Sequence, residues 1–128
     1  MRQQVDDLVG HAERAGKGAA LKDRAKRLDE KLQAIEDDLI NPEIKADEDD
    51  LNYAPKLDHD LTALAGVVGS ADARPTDASV VYFHTLEKQL DAVRARLDDV
   101  LRNDLADFNA AVRAQGIDPV VPAPKIDR

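Results

Sequence analysis

The sequence contains no cysteine and no tryptophan, and only 3% of its 128 residues are aromatic. Without cysteine the chain has no disulfides, zinc–thiolate sites, iron–sulfur clusters or thiol nucleophiles. The scarcity of aromatic rings leaves little material for surfaces that stack bases or sugars. No apolar run approaches the roughly 20 residues that span a bilayer, and the first residues lack the apolar stretch of a signal peptide. We therefore expect neither membrane insertion nor an export signal within this sequence.

Positive charge is also scarce. The chain has 26 acidic and 18 basic residues, which gives a net charge of -8. A nucleic-acid-binding protein needs a basic surface that displaces counterions from phosphate. We therefore expect no nucleic-acid partner.

Apolar residues recur at steps of three and four, the spacing typical of helices. In the second helix the steps are 4-3-4-3-4, at Leu21, Ala25, Leu28, Leu32, Ile35 and Leu39. The predicted helices cover residues 3–15, 19–40, 56–68 and 77–115. We expect an all-α fold: an antiparallel helical bundle of about four helices, with one long C-terminal helix and coiled-coil-like packing. A single domain over 1–117 would then be followed by an extended, proline-rich tail over 118–128.

Specific residues mark the helix ends. Gly16-Lys17-Gly18 can supply a left-handed cap and a tight connection, and Gly116 is placed for a second left-handed cap. Asn41-Pro42 ends the second helix because proline cannot continue the hydrogen-bond ladder. Thr76 is a favourable N-cap for the long helix.

The long helix carries one apolar line that predicts its buried face. The line contains Phe83, Leu86, Leu90, Val93, Leu97, Leu101, Leu105, Phe108 and Val112. From Val93 to Leu105 the steps are all fours, which would locally relax left-handed supercoiling. As a test of this core, we expect Leu97→Ala to cost roughly 2–5 kcal/mol.

Candidate chemistry is sparse. The acidic run Asp47-Glu48-Asp49-Asp50 could hold a hard cation through carboxylate oxygens. It lacks the alternating ligands and central glycine of an EF-hand, so a solvated acidic loop is favoured. His11, His59 and His84 show no metal-ligand spacing; we expect His59 to be exposed and His84 to lie at the rim of the packed face.

No other residues form a catalytic constellation. Ser70 and Ser79 have no histidine partner or nucleophile-elbow motif, so turn and capping roles suffice. The pairs Asp6/Asp7, Asp37/Asp38 and Asp98/Asp99 indicate solvent-facing charge rather than a glycosidase pair. Gly10, Gly16 and Gly18 make no phosphate-binding pattern, and only Asp104 comes near an apolar seam. We therefore predict no catalytic, cofactor-binding or metal-binding residues.

Two loops and their flanking helices carry a family resemblance. The stretches Asp50-Leu51-Asn52-Tyr53-Ala54-Pro55-Lys56-Leu57, Leu61 to Asp72, and Pro75-Thr76 resemble the C-terminal helical region of bacterial sortilin-like Asp-box (BNR-repeat) β-propeller proteins, often labelled glycosyl hydrolases. Further matching positions are Arg2-Gln3-Gln4-Val5, Leu32-Gln33-Ala34-Ile35-Glu36, Phe83, Leu86, Leu90, Phe108-Asn109, Gly116 and Val120-Val121-Pro122. The likeness covers nearly the whole chain and departs at Ala54, where the family usually has proline or another stiff residue.

The resemblance implies a larger, exported parent protein whose propeller precedes this region. No Asp-box pattern (Ser-x-Asp-x-Gly-x-Thr-Trp) occurs here, so any hydrolase activity of the parent would lie outside this chain. Arg2-Gln3-Gln4-Val5 would be the tail of a longer helix, which leaves apolar surface that favours self-association.

We therefore expect a non-catalytic interaction module that binds its parent's propeller domains or a second copy of itself. It would be extracytoplasmic as part of that parent and cytoplasmic if it stands alone. The alternative is a small helical-bundle enzyme or ligand-binding protein with a site between helices, which would need ionisable residues inside the seams.

Overall fold

The computed structural model describes residues 1–43, 56–70 and 72–122, and every regular element in those residues is an α-helix. The prediction of an all-α helical bundle is confirmed. The helices are α1 (Arg2–Arg14), α2 (Ala19–Leu39), α3 (Leu57–Gly69), α4 (Asp77–Arg102) and α5 (Asp104–Ala114). The chain, predicted as a single domain over 1–117, divides into two compact units: Met1–Gln33 with Asp98–Arg128, and Ala34–Leu97.

In the first unit, α1 folds back along α2. The Arg2 side chain donates to Asp29, and the Lys22 ammonium lies 3.3 Å from a Glu13 oxygen. Because the start of one helix meets the later part of the other, the two helices are antiparallel.

The connection between α1 and α2 depends on two glycines. Gly16 has φ +74°, and the Lys17 N–H donates to the Ala12 carbonyl at 2.9 Å, as the predicted left-handed cap requires. Gly18 is buried against α1, where an added Cβ would lie 2.9 Å from both the Cα and the N of Glu13. Only glycine permits so close an approach of the two backbones.

Helix α2 also runs antiparallel to α5. Arg24 donates to Asp107 at 2.6 Å, while Lys31 donates to both oxygens of Asp104 at 2.6 and 2.8 Å. Such partly exposed pairs contribute little individually, so the apolar residues supply most of the stability. The buried apolar residues of this unit are Val5, Ala12, Leu21, Ala25, Leu28, Leu32, Val100, Leu105, Phe108, Val112 and Val120.

The long helix predicted over 77–115 is present as α4 and α5, separated only by Asn103. The Asn103 N–H donates to the Asp99 carbonyl at 3.0 Å, and the Asn103 carbonyl accepts from Asp107 at 2.9 Å. The helical hydrogen bonds thus continue across Asn103. The Asn103 side chain donates to the Asp99 carboxylate at 2.7 Å, the kind of local bond by which asparagine competes with regular helix.

The apolar line along α4 differs from the predicted one. Val100 is buried, whereas Leu97 and Leu101 are only half-buried. Leu86, Val93 and Val100 are seven residues apart, and two helical turns return them to one face. The predicted run of four-residue steps is therefore wrong as a description of the buried line, and Leu97 is not a core centre.

The start of the C-terminal tail packs on the first unit. Residues 118–122 have no regular secondary structure, yet Val120 is 4% exposed. The Asn109 side chain accepts from the Val120 N–H at 2.8 Å and donates to the Val120 carbonyl at 2.9 Å. Residues 123–128 lie outside the described part of the chain.

The second unit contains the end of α2, all of α3 and residues 77–97 of α4. Leu57 at the start of α3 lies near Val93, and Val68 near the end of α3 lies near Ser79, so α3 and α4 are antiparallel. The Arg96 guanidinium pairs with Asp38 in the last turn of α2. Among the described residues of this unit, the buried apolar ones are Ile35, Leu57, Leu86 and Val93.

Candidate functional site

An apolar groove of about 330 Å³ lies between α3 and the first turns of α4. The groove lies apart from the buried residues of the second unit. Among the described residues, few side chains cover the facing sides of the two helices here. The lining residues are Leu61, Leu64, Ala65, Val68, Pro75, Ser79, Val80 and Phe83. Every lining side chain except Ser79 is apolar.

Local structure explains why even Ser79 adds little polarity. Thr76 caps α4 as predicted: its hydroxyl oxygen accepts from the Ser79 N–H at 3.1 Å. The Ser79 hydroxyl lies 3.0 Å from the same Thr76 oxygen. The polar atoms of Ser79 are therefore engaged in the helix cap.

One residue predicted to be core lies at the surface of this groove. Phe83 begins the predicted apolar line but is 46% exposed, and the nearby lining residue Val80 is 43% exposed. On α3, the lining residues Leu61, Leu64 and Val68 are half-buried. The prediction that Phe83 belongs to the buried seam is wrong, because among the described residues α3 covers this end of α4 only in part.

Three carboxylates lie one helical turn beyond residues that line the groove. On α3, Asp58 lies one turn before Leu61, and on α4, Asp77 lies one turn before Val80. Glu87 lies one turn after Phe83. All three acidic residues are exposed, so the apolar groove has acidic margins.

The three histidines do not form a site. His11 is exposed, and His59 is half-buried rather than exposed as predicted. The exposed His84 places its Nδ1 3.1 Å from a Glu87 oxygen, and its ring contacts Phe83 edge-on at a centroid distance of 5.6 Å. Ser70, the other predicted turn residue, donates its hydroxyl to the Val67 carbonyl at 2.9 Å.

The acidic residues singled out in the sequence are held apart in ordinary surface roles. Both members of the Asp6/Asp7 and Asp37/Asp38 pairs are exposed, whereas Asp98 of the third pair is half-buried. Asp104, predicted to approach an apolar seam, has 21% of its side chain exposed and is paired with Lys31. The run Asp47-Glu48-Asp49-Asp50 lies outside the described residues.

Across residues 1–43, 56–70 and 72–122, no polar or charged residue is buried. In the same ranges, no three histidine or acidic side chains come together in a group that could hold a metal ion. None of the described helices is long and apolar enough to cross a membrane.

Comparison with protein-family models, curated proteins and solved structures finds no match for this chain. The sortilin-like resemblance thus stands on its sequence motifs alone.

A sequence signal for this surface does exist. Val80-Val81-Tyr82-Phe83 is a run of four apolar residues at the start of a helix. Successive helical residues point about 100° apart, so such a run surrounds the helix and one packed face cannot bury it all. The run therefore predicts an exposed apolar surface at the start of α4.

Proposed function

We propose that this chain is a non-catalytic helical interaction module, the C-terminal part of a larger exported propeller protein. The observation that carries the interaction role is the apolar groove between α3 and α4. Its lining offers side chains for contact and no converging ionisable groups for chemistry.

The size of the exposed surface supports a binding role. A phenylalanine side chain presents roughly 150–250 Å² when free, so Phe83 at 46% exposure leaves on the order of 100 Å² uncovered. Val80 on the same side of α4 is 43% exposed, and Leu61, Leu64 and Val68 across the groove are half-buried. An exposed apolar surface rimmed by polar residues is typical of an interaction site.

The parentage rests on the Asn52-Tyr53 sequence motif, the Pro75-Thr76 cap and the matching helical positions. It predicts partners within the parent, its propeller domains, or a second copy of the chain, and an extracytoplasmic location. The DNA immediately upstream tests it directly. A continuous frame encoding Asp-box repeats is expected, and a frame without them would contradict the parentage while leaving the interaction role standing.

The interaction role is tested with two matched variants. Phe83→Asp places a charge in the groove, whereas Val81→Asp places one on the same helix at a residue outside the groove lining and 67% exposed. Binding to upstream propeller domains and self-association are measured by sedimentation velocity over a range of concentrations. We expect Phe83→Asp to abolish the association and Val81→Asp to preserve it.

An association unaffected by Phe83→Asp, or none with either partner, would contradict the proposed role. Circular dichroism of both variants checks that folding is retained. Val81 is 67% exposed, so Val81→Asp should unfold within about 0.5 kcal/mol of the parent sequence. Phe83 is 46% exposed, so Phe83→Asp loses part of its ring burial and should cost about 1 kcal/mol while remaining folded.

A second candidate function is the binding of a small apolar ligand. The groove volume of about 330 Å³ falls at the lower end of the range that small-molecule sites occupy, roughly 300–1,000 Å³. A rise in melting temperature with small apolar compounds, lost in Phe83→Asp, would favour this function. For the interaction module we expect no such rise.

A further inference from the structure

We infer that the groove between α3 and α4 receives a basic amphipathic helix of a partner protein. This inference rests on the proposed interaction role, and it narrows the partner from a propeller domain or a second copy to a protein segment that forms a basic helix. It follows from the shape of the groove together with the charge of its margins.

The shape fits one helix. The α3 lining runs from Leu61 to Val68, which is two helical turns or roughly 10 Å of axis. The α4 lining runs from Ser79 to Phe83 in the opposite direction. A helix laid between two antiparallel helices presents anchors at i, i+3 or i+4, and i+7, so two or three apolar anchors fill this length.

The carboxylates beside the groove favour a positively charged partner. Asp58 lies on the same face of α3 as Leu61, and Glu87 on the same face of α4 as Phe83, because residues three and four apart are helical neighbours. Since the helices are antiparallel, these two carboxylates come to the same end of the groove. Asp77 precedes Val80 at the opposite end.

The cations nearby do not reverse this balance. Lys88 follows Glu87 but lies seven residues after Val81, on a side of α4 outside the groove lining. Arg74 stands next to Pro75 at the Asp77 end, and Lys56 lies in a separate depression with Asp38 and Asp60. His84 pairs with Glu87 at the surface, where such a pair is weak and a lysine or arginine can compete for the carboxylate.

Charge also argues against a second copy in the same groove. A copy of this chain would bring the same carboxylates and a further net charge of -8. Like charges facing each other oppose association, whereas lysine or arginine flanking an apolar stripe complements these margins.

The test uses the full chain and two synthetic peptides of about 16 residues, long enough for two turns of contact and flanking charges. Both carry leucine at i, i+3 and i+7; one has lysine at the flanking positions and the other glutamate. Binding is measured by fluorescence anisotropy. We expect the affinity for the lysine peptide to be at least roughly tenfold higher than that for the glutamate peptide. The affinity for the lysine peptide should fall as the salt concentration rises from about 50 to about 500 mM.

Three variants locate the binding. Phe83→Asp should abolish binding of the lysine peptide, and Val81→Asp should leave it unchanged. The double variant Asp58→Asn with Glu87→Gln keeps the side-chain shapes but removes both charges. It should lower the affinity for the lysine peptide roughly tenfold.

Equal affinity for the two peptides, no binding of either, or indifference to the double variant would overturn the basic-helix inference. If the peptides fail while Phe83→Asp still disrupts propeller binding or self-association, the proposed function stands and only this inference falls. If Phe83→Asp disrupts neither association nor peptide binding, both fail.

Discussion

The contact between Asn109 and Val120 predicts that a short piece of tail makes a measurable contribution to stability. The Asn109 amide bonds both backbone groups of Val120, at 2.8 and 2.9 Å, and the Val120 side chain is 4% exposed. The adjacent Val121 is 69% exposed. These two valines therefore form a matched pair for truncation to alanine.

The magnitudes follow from burial and hydrogen bonding. Val120→Ala removes two buried methyl groups and should cost about 1–2 kcal/mol. Asn109→Ala loses two hydrogen bonds, each worth about 0.5–1.5 kcal/mol net, and leaves the part-buried backbone groups of Val120 unpaired. We expect a cost of about 1–3 kcal/mol for Asn109→Ala and less than about 0.5 kcal/mol for Val121→Ala.

The assay is equilibrium unfolding in urea, followed by circular dichroism. Asn109 and Val120 act together, so the double variant should cost less than the two single variants combined. Equal costs for Val120→Ala and Val121→Ala, or a fully additive double variant, would refute the inference that Asn109 holds the tail in place.

Two further predictions use other matched positions. Phe108→Ala, at a residue with 0% exposure, should cost about 3–5 kcal/mol, whereas Phe83→Ala, at 46% exposure, should cost less than about 1 kcal/mol in the same urea titration. Similar costs would contradict the assignment of one phenylalanine to the core and the other to the groove. Gly18→Ala should lower the melting temperature because its Cβ would collide with the Glu13 backbone, but Gly10→Ala, in an open helical position, should stabilise by about 0.5–1 kcal/mol. Thermal unfolding compares the two glycine variants, and a stabilising Gly18→Ala would show that α1 and α2 do not approach as closely as described.

The sequence determined the helices and most of their ends. The 4-3-4-3-4 steps predicted the buried face of α2 from Leu21 to Leu39. Leu21, Ala25, Leu28, Leu32 and Ile35 are buried, and Leu39 is half-buried. Gly16 and Gly116 have the positive φ predicted for left-handed caps, and Thr76 caps α4. These features are predictable because helical hydrogen bonds and caps join residues only a few positions apart.

Tertiary structure decided which apolar faces are covered. Phe83 and Phe108 stand on the same predicted line, yet one is 46% exposed and the other 0%. Periodicity shows that a face is apolar, but burial depends on neighbours that are distant in the sequence. For the same reason the Asn109 contact with Val120 and the groove along α3 could not be derived from spacing alone. They exist because α5 lies beside the tail and because α3 covers the first turns of α4 only in part.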